Sequence, residues 1–73
     1  MENKLKEIMS NIFEVDIIKI DENTSPKTIS QWDSFNHLNL VVKIEEELNL
    51  NFNEDEIVKM VDFNSIIKII KNK

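Results

Sequence analysis

Cysteine is absent from this chain of 73 residues, which excludes a disulfide framework and any thiolate-ligated metal. Histidine occurs once, at His37, so a zinc site would have to be built largely from carboxylates, and no metal is expected. No apolar run approaches the length of a signal-peptide core or a membrane span. The chain is therefore expected to be soluble and cytoplasmic. Arginine is missing too, and the nine basic residues, all lysine, are scattered among 14 acidic ones for a net charge of −5. Nucleic-acid binders gather their basic residues into a patch that displaces counterions from phosphates, so no nucleic-acid partner is expected. An acidic surface instead favours protein partners with basic faces, chiefly through encounter rate and specificity.

Size narrows the reading further. A domain this small buries only about 60% of the surface of its unfolded chain, enough for one thin core but not for a deep, walled active site. Residues 1–73 are expected to form one domain, monomeric and without catalysis of its own.

Helical periodicity dominates what is there. Leu5, Ile8, Met9, Ile12 and Phe13 predict an amphipathic helix over about residues 2–14. Val15 to Ile20 is rich in β-branched residues, but no second strand exists to pair with it. It is read as extended loop with inward-pointing isoleucines. Asp21 to Ser25 and the only proline, Pro26, form a turn-rich break, and the connection runs on to Trp32. Connections of this length are uncommon in compact domains and are often functional. A second helix begins at Asp33-Ser34, its apolar stripe drawn mostly from Phe35, Leu38, Val41, Val42 and Leu48. Glu45, Glu46 and Glu47 fall near its C-terminal end, where the macrodipole disfavours them, which suggests a purpose other than stability. Asn53 and Glu56 match a capping box for a short third helix with Ile57, Met60 and Val61 inward. Asp62 is placed to cap a fourth helix burying Phe63, Ile66, Ile67 and Ile70. The pattern is an all-α four-helix bundle with a long loop between helices 1 and 2 and a short helix 3.

Asp33 and Ser34 alone would pass for ordinary helix capping, for which both residue types are favoured. Their surroundings change the balance. The stretch from Trp32 through Asp33-Ser34-Phe35 and on to Glu45-Glu46-Glu47-Leu48 resembles the modification site and second helix of acyl carrier proteins. There an Asp-Ser-Leu motif opens the helix and an acidic cluster followed by a large apolar residue closes it. The resemblance continues through Leu50, Phe52, Glu54, Ile57, Met60, Phe63, Ile67 and Ile70, and covers essentially the whole chain.

The resemblance implies a bundle of acyl-carrier type and a non-catalytic carrier. Ser34 would receive 4′-phosphopantetheine from coenzyme A through a phosphopantetheinyl transferase, and the arm's thiol would hold cargo as a thioester. Acyl-loading and acyl-transferring enzymes with basic surfaces would be the other partners, in fatty-acid-related or specialised lipid biosynthesis. Asp33 would cap the helix and contribute to transferase recognition. Phe35, His37, Leu38, Glu45, Glu46 and Glu47 would meet partners, with His37 on the surface near the arm. Phe35 departs from the family's usual leucine, and Asn36 and Asn39 are neutral where fatty-acid carriers are acidic, which favours a dedicated carrier. Aminoacyl and peptidyl carriers share the motif and stay open, as does an unmodified helical interaction module.

Other signals fall away. Asp33, Ser34 and His37 lie within one helical turn, a poor basis for a catalytic relay beside an oxyanion site. Asp21-x-Asn23-x-Ser25 opens like an EF-hand loop but has Pro26 at the sixth position and Trp32 at the twelfth. Trp32 is expected to anchor the long loop rather than to serve as a binding hot spot. On the carrier reading, some core residues would line a space for an acyl chain.

Overall fold

Local start and stop signals account for most element boundaries in the computed structural model, which describes residues 1–73. Helix α1 spans Glu2–Phe13 and buries Leu5, Ile8, Met9 and Phe13. It ends at Glu14, in the left-handed conformation (φ 56°, ψ 46°). The Val15 N–H then reaches back to the Ser10 carbonyl at 3.2 Å, a Schellman-type closure. Helices α2 (Ser34–Leu48), α3 (Glu54–Lys59) and α4 (Phe63–Lys71) follow, and there is no strand. No helix is long and apolar enough to cross a membrane.

The segment after α1 differs from the extended loop expected. Asp16 accepts a hydrogen bond from the Ile18 N–H and winds Ile17–Lys19 into a 3-10 turn. With three residues per turn, Ile20 is buried, while Ile17 and Ile18 point outward, Ile18 being 81% exposed.

The long connection is a chain of small hydrogen-bonded turns. Buried Thr24 accepts from the Asp21 N–H at 2.8 Å, and its carbonyl receives the Phe63 N–H at 2.8 Å. That bond ties the loop to the start of α4. Ser25 and Thr28 close the next turn, and the Trp32 N–H bonds to the Ile29 carbonyl. Ile29 and Trp32 are buried, and the indole stacks on Phe13 with ring centroids 5.3 Å apart. Trp32 anchors the loop, as the sequence suggests.

Helix α2 keeps Val41 and Leu48 of the expected stripe inside but is otherwise rotated from it. It buries Leu40, Val41 and Ile44, with Leu48 packed at the core's edge. Phe35, Leu38 and Val42 lie outside, Phe35 74% exposed. Both sets have helical spacing, so periodicity alone does not choose between them. At the far end Asn49 is left-handed (φ 55°) and the Leu50 N–H bonds to the Glu45 carbonyl.

The capping box of α3 is present in both directions. The Glu56 N–H donates to Asn53 Oδ1 at 2.8 Å, and the Asn53 N–H to Glu56 Oε1 at 3.0 Å. Met60 is buried just past the helix and Ile57 partly so, but Val61, expected inside, is exposed. The chain has already left α3 there, so helical spacing no longer governs its direction. Asp62 caps α4 by accepting from the Ser65 N–H at 2.7 Å, and Phe63, Ile66, Ile67 and Ile70 all face inward. The 15 buried apolar residues form one connected core.

Candidate functional site

Asp33 has extended backbone and stands as N-cap of α2, its Oδ1 accepting the Asn36 N–H at 2.8 Å. Asn36 is fixed in turn: its amide donates to the Gln31 carbonyl at 2.9 Å and its Oδ1 accepts from Asn39 at 3.1 Å. Ser34 is the first helical residue, exposed, and not itself the cap. The capping that the sequence allows to either residue therefore belongs to Asp33. No acidic residue occupies the first turn of α2. The N–H groups of that turn carry the positive end of the helix dipole, at which Ser34 stands.

His37 sits one turn further along, half-buried, with both ring nitrogens occupied. The Trp32 Nε1–H donates to its Nδ1 at 3.0 Å, and its Nε2 lies 3.0 Å from the Ile57 carbonyl oxygen. One neutral tautomer satisfies both contacts, with Nδ1 accepting and Nε2–H donating. The indole and imidazole planes are nearly parallel (19°) with centroids 6.1 Å apart. His37 is thus a clip joining loop, α2 and α3. The expectation of a surface histidine available to the arm is corrected, because its polar atoms are held by residues 5 and 20 positions away.

Beside Ser34 opens a depression of about 610 Å³. Trp32, Leu38, Met60 and Val61 make it mostly apolar, Pro26 closes one side, and Asp33, Ser34 and His37 supply its polar rim. Met60 is almost fully buried and forms its floor. The sequence gives no sign of this depression, since Met60 reads as plain core and Pro26 as a loop break. The surplus of apolar residues on α2, more than one buried face needs, is the signal that could have marked its outer wall.

The other sequence-derived residues divide. Phe35 and Leu38 are exposed beside Ser34 and form an apolar strip with Val42. Glu45 accepts the Phe52 N–H at 2.9 Å and so holds the α2–α3 connection. Glu47 pairs with Lys4 of α1 at 2.8 Å and more loosely with Lys43 at 3.9 Å. The hydrogen bond from Lys4 lowers the Glu47 pKa below its ordinary value and raises that of Lys4. Two of the three glutamates thus have work inside the fold, where the sequence suggests a purpose other than stability. Of this run, Glu46 alone is an exposed charge with no ion-pair or hydrogen-bond partner.

No protein-family model matches the chain, and no curated protein matches it in sequence.

Proposed function

We propose that this protein is a carrier of the acyl carrier type, with 4′-phosphopantetheine on Ser34 and catalysis supplied by partner enzymes. The observation that carries the reading is an exposed serine at the first position of a 15-residue helix, capped by a neighbouring aspartate, beside a mostly apolar depression. The residues suit a phosphodiester. Ser34 Oγ is accessible, the helix N-terminus favours a negative group, and the Asp33 carboxylate is engaged by a backbone N–H.

In the attachment reaction Ser34 Oγ bonds to the pantetheine-side phosphorus of coenzyme A. The bond from that phosphorus to the bridging oxygen of the pyrophosphate breaks, and the oxygen leaves with adenosine 3′,5′-bisphosphate. The hydroxyl proton passes to the transferase. The arm supplies a terminal thiol for thioester formation, and the chain has no cysteine to compete with it. Asp33 and Asn36 hold the first turn in place, while Phe35 and Leu38 give partner enzymes an apolar handle next to the serine. Basic partner surfaces would meet the remaining acidic charge, including Glu46.

The test is intact-protein mass spectrometry after incubation with coenzyme A and a broad-specificity phosphopantetheinyl transferase, with Ser34→Ala alongside. Wild type is expected to gain one phosphopantetheine and the variant none. Because Ser34 is not the cap, the variant should keep its stability to within about 0.5 kcal/mol, so failure to be modified will not reflect misfolding. A modified alanine variant would overturn the assignment of Ser34.

A second reading, the unmodified interaction module, draws on the exposed apolar strip of Phe35, Leu38 and Val42, which would serve a partner without any arm. Absence of mass gain with several active transferases would favour it.

A further inference from the structure

One hydrogen bond beside Ser34 depends on a proton being absent. The indole Nε1–H of Trp32 can only donate, so the His37 Nδ1 facing it at 3.0 Å must keep its lone pair. The two rings meet edge to edge, their planes within 19° and their centroids 6.1 Å apart across that short contact. On its other side the imidazole gives Nε2–H to the Ile57 carbonyl, a bond that the neutral ring and the imidazolium can both make. Trp32 and His37 both line the depression next to the serine, so their bond closes part of its wall.

We infer that His37 is a proton-operated latch: neutral, it holds the end of the loop at Trp32 against α2, and protonation at Nδ1 releases the indole while the tie to α3 stays. Histidine is the side chain whose ordinary charge change falls between about pH 5 and 8. A proton arriving at Nδ1 sets one N–H against another, and the attraction becomes a repulsion. No cation–π attraction offsets it, because the charge would meet the positive edge of the indole rather than its face. Neighbouring charges supply no replacement acceptor. Asp33 is the only other titratable residue lining the depression, and its Oδ1 already accepts the Asn36 N–H. On α3 the charged residues are Glu54, Asp55, Glu56 and Lys59, and none of them bonds to the imidazole. The released loop end does not unravel, since Trp32 keeps its backbone bond to the Ile29 carbonyl. The latch goes beyond the carrier reading and works whether or not Ser34 bears an arm.

The experiment follows the wild-type chain by ¹H–¹⁵N NMR from about pH 8 to about pH 5. With one tryptophan and one histidine in the chain, the indole and imidazole signals are assigned at sight. At the upper end the imidazole should be the Nε2–H tautomer. As it titrates, protection of the indole N–H from solvent exchange, relative to free indole at the same pH, should fall by about tenfold, the loss of one ordinary hydrogen bond. The fall should share the midpoint of the imidazole. Backbone amides of Leu40 and Ile44 should hold their protection to within about twofold, which separates release of the latch from unfolding. His37→Gln keeps an acceptor and a donor but cannot titrate, and it should show no such fall. An Nδ1–H tautomer at the upper end, or an indole whose protection ignores the imidazole, would overturn the latch. So would the same fall in His37→Gln, or loss of protection at Leu40 and Ile44 in step with the indole.

Discussion

At Glu14 and Asn49 the backbone is left-handed, and in a chain without glycine these side chains bear its cost. Asparagine tolerates that conformation better than most residues, whereas glutamate meets the full clash of its Cβ with the carbonyl. Glu14→Gly should therefore stabilise by about 0.5–1 kcal/mol and Asn49→Gly by less, as read from urea denaturation followed by circular dichroism. The opposite is expected at His37. Replacement by phenylalanine keeps the bulk but strands the Trp32 Nε1–H and the Ile57 carbonyl. Leaving partly buried polar groups unpaired should cost about 1–3 kcal/mol in the same assay. Nothing in the sequence near His37 announces that role, because one of its partners is a backbone carbonyl 20 residues away. Its kind of residue and its place beside the serine suggest surface chemistry instead.

Helix starts, by contrast, are legible because their signals are local. Asn53 with Glu56, and Asp62 with Ser65, make their bonds within three residues, and each can be read from the sequence before any tertiary contact is known. Asp62→Ala should cost about 0.5–2 kcal/mol through loss of the α4 cap. The inward face of α2 is not legible in the same way. Leu40, Val41 and Ile44 compete with Phe35, Leu38 and Val42, and only packing against the rest of the bundle decides. A matched pair of substitutions tests the rotation. Leu40→Ala should cost about 2–5 kcal/mol, as for a filled core site. Leu38→Ala should stay within about 0.5 kcal/mol of wild type. Equal costs would contradict the observed face. The 3-10 turn at Ile17–Lys19 was hidden for a related reason: β-branched content speaks for extended backbone, and one aspartate side chain overrides it.

For the whole molecule, stability is on the order of 4–11 kcal/mol at typical per-residue values, so its charged fastenings matter together more than singly. Glu47 is lowered in pKa first by its hydrogen bond from Lys4, Glu56 first by that from Lys73, and Asp62 first by those from Ser65. They join α1 to α2, the chain end to α3, and the cap to α4. A carboxylate with a lowered native pKa binds its proton more readily when unfolded. Its contribution is complete above the ordinary carboxylate range and is lost as the pH falls through that range to the lowered native value. The urea midpoint should therefore drop on going from about pH 7 to about pH 3, with Asp62→Asn flattening part of the decline. Lys4 acts at the other extreme: its raised pKa makes its contribution complete below the ordinary value of 10.5 and lost as the pH rises beyond it. The loop between α1 and α2 carries the only indole of the chain, two residues before Ser34 and bonded through Nε1 to the imidazole of α2. That placement gives the unlabelled protein a built-in optical probe. Excited selectively, Trp32 would report in its emission wavelength and lifetime any event at the serine that loosens the indole from its imidazole partner, in real time and without a dye.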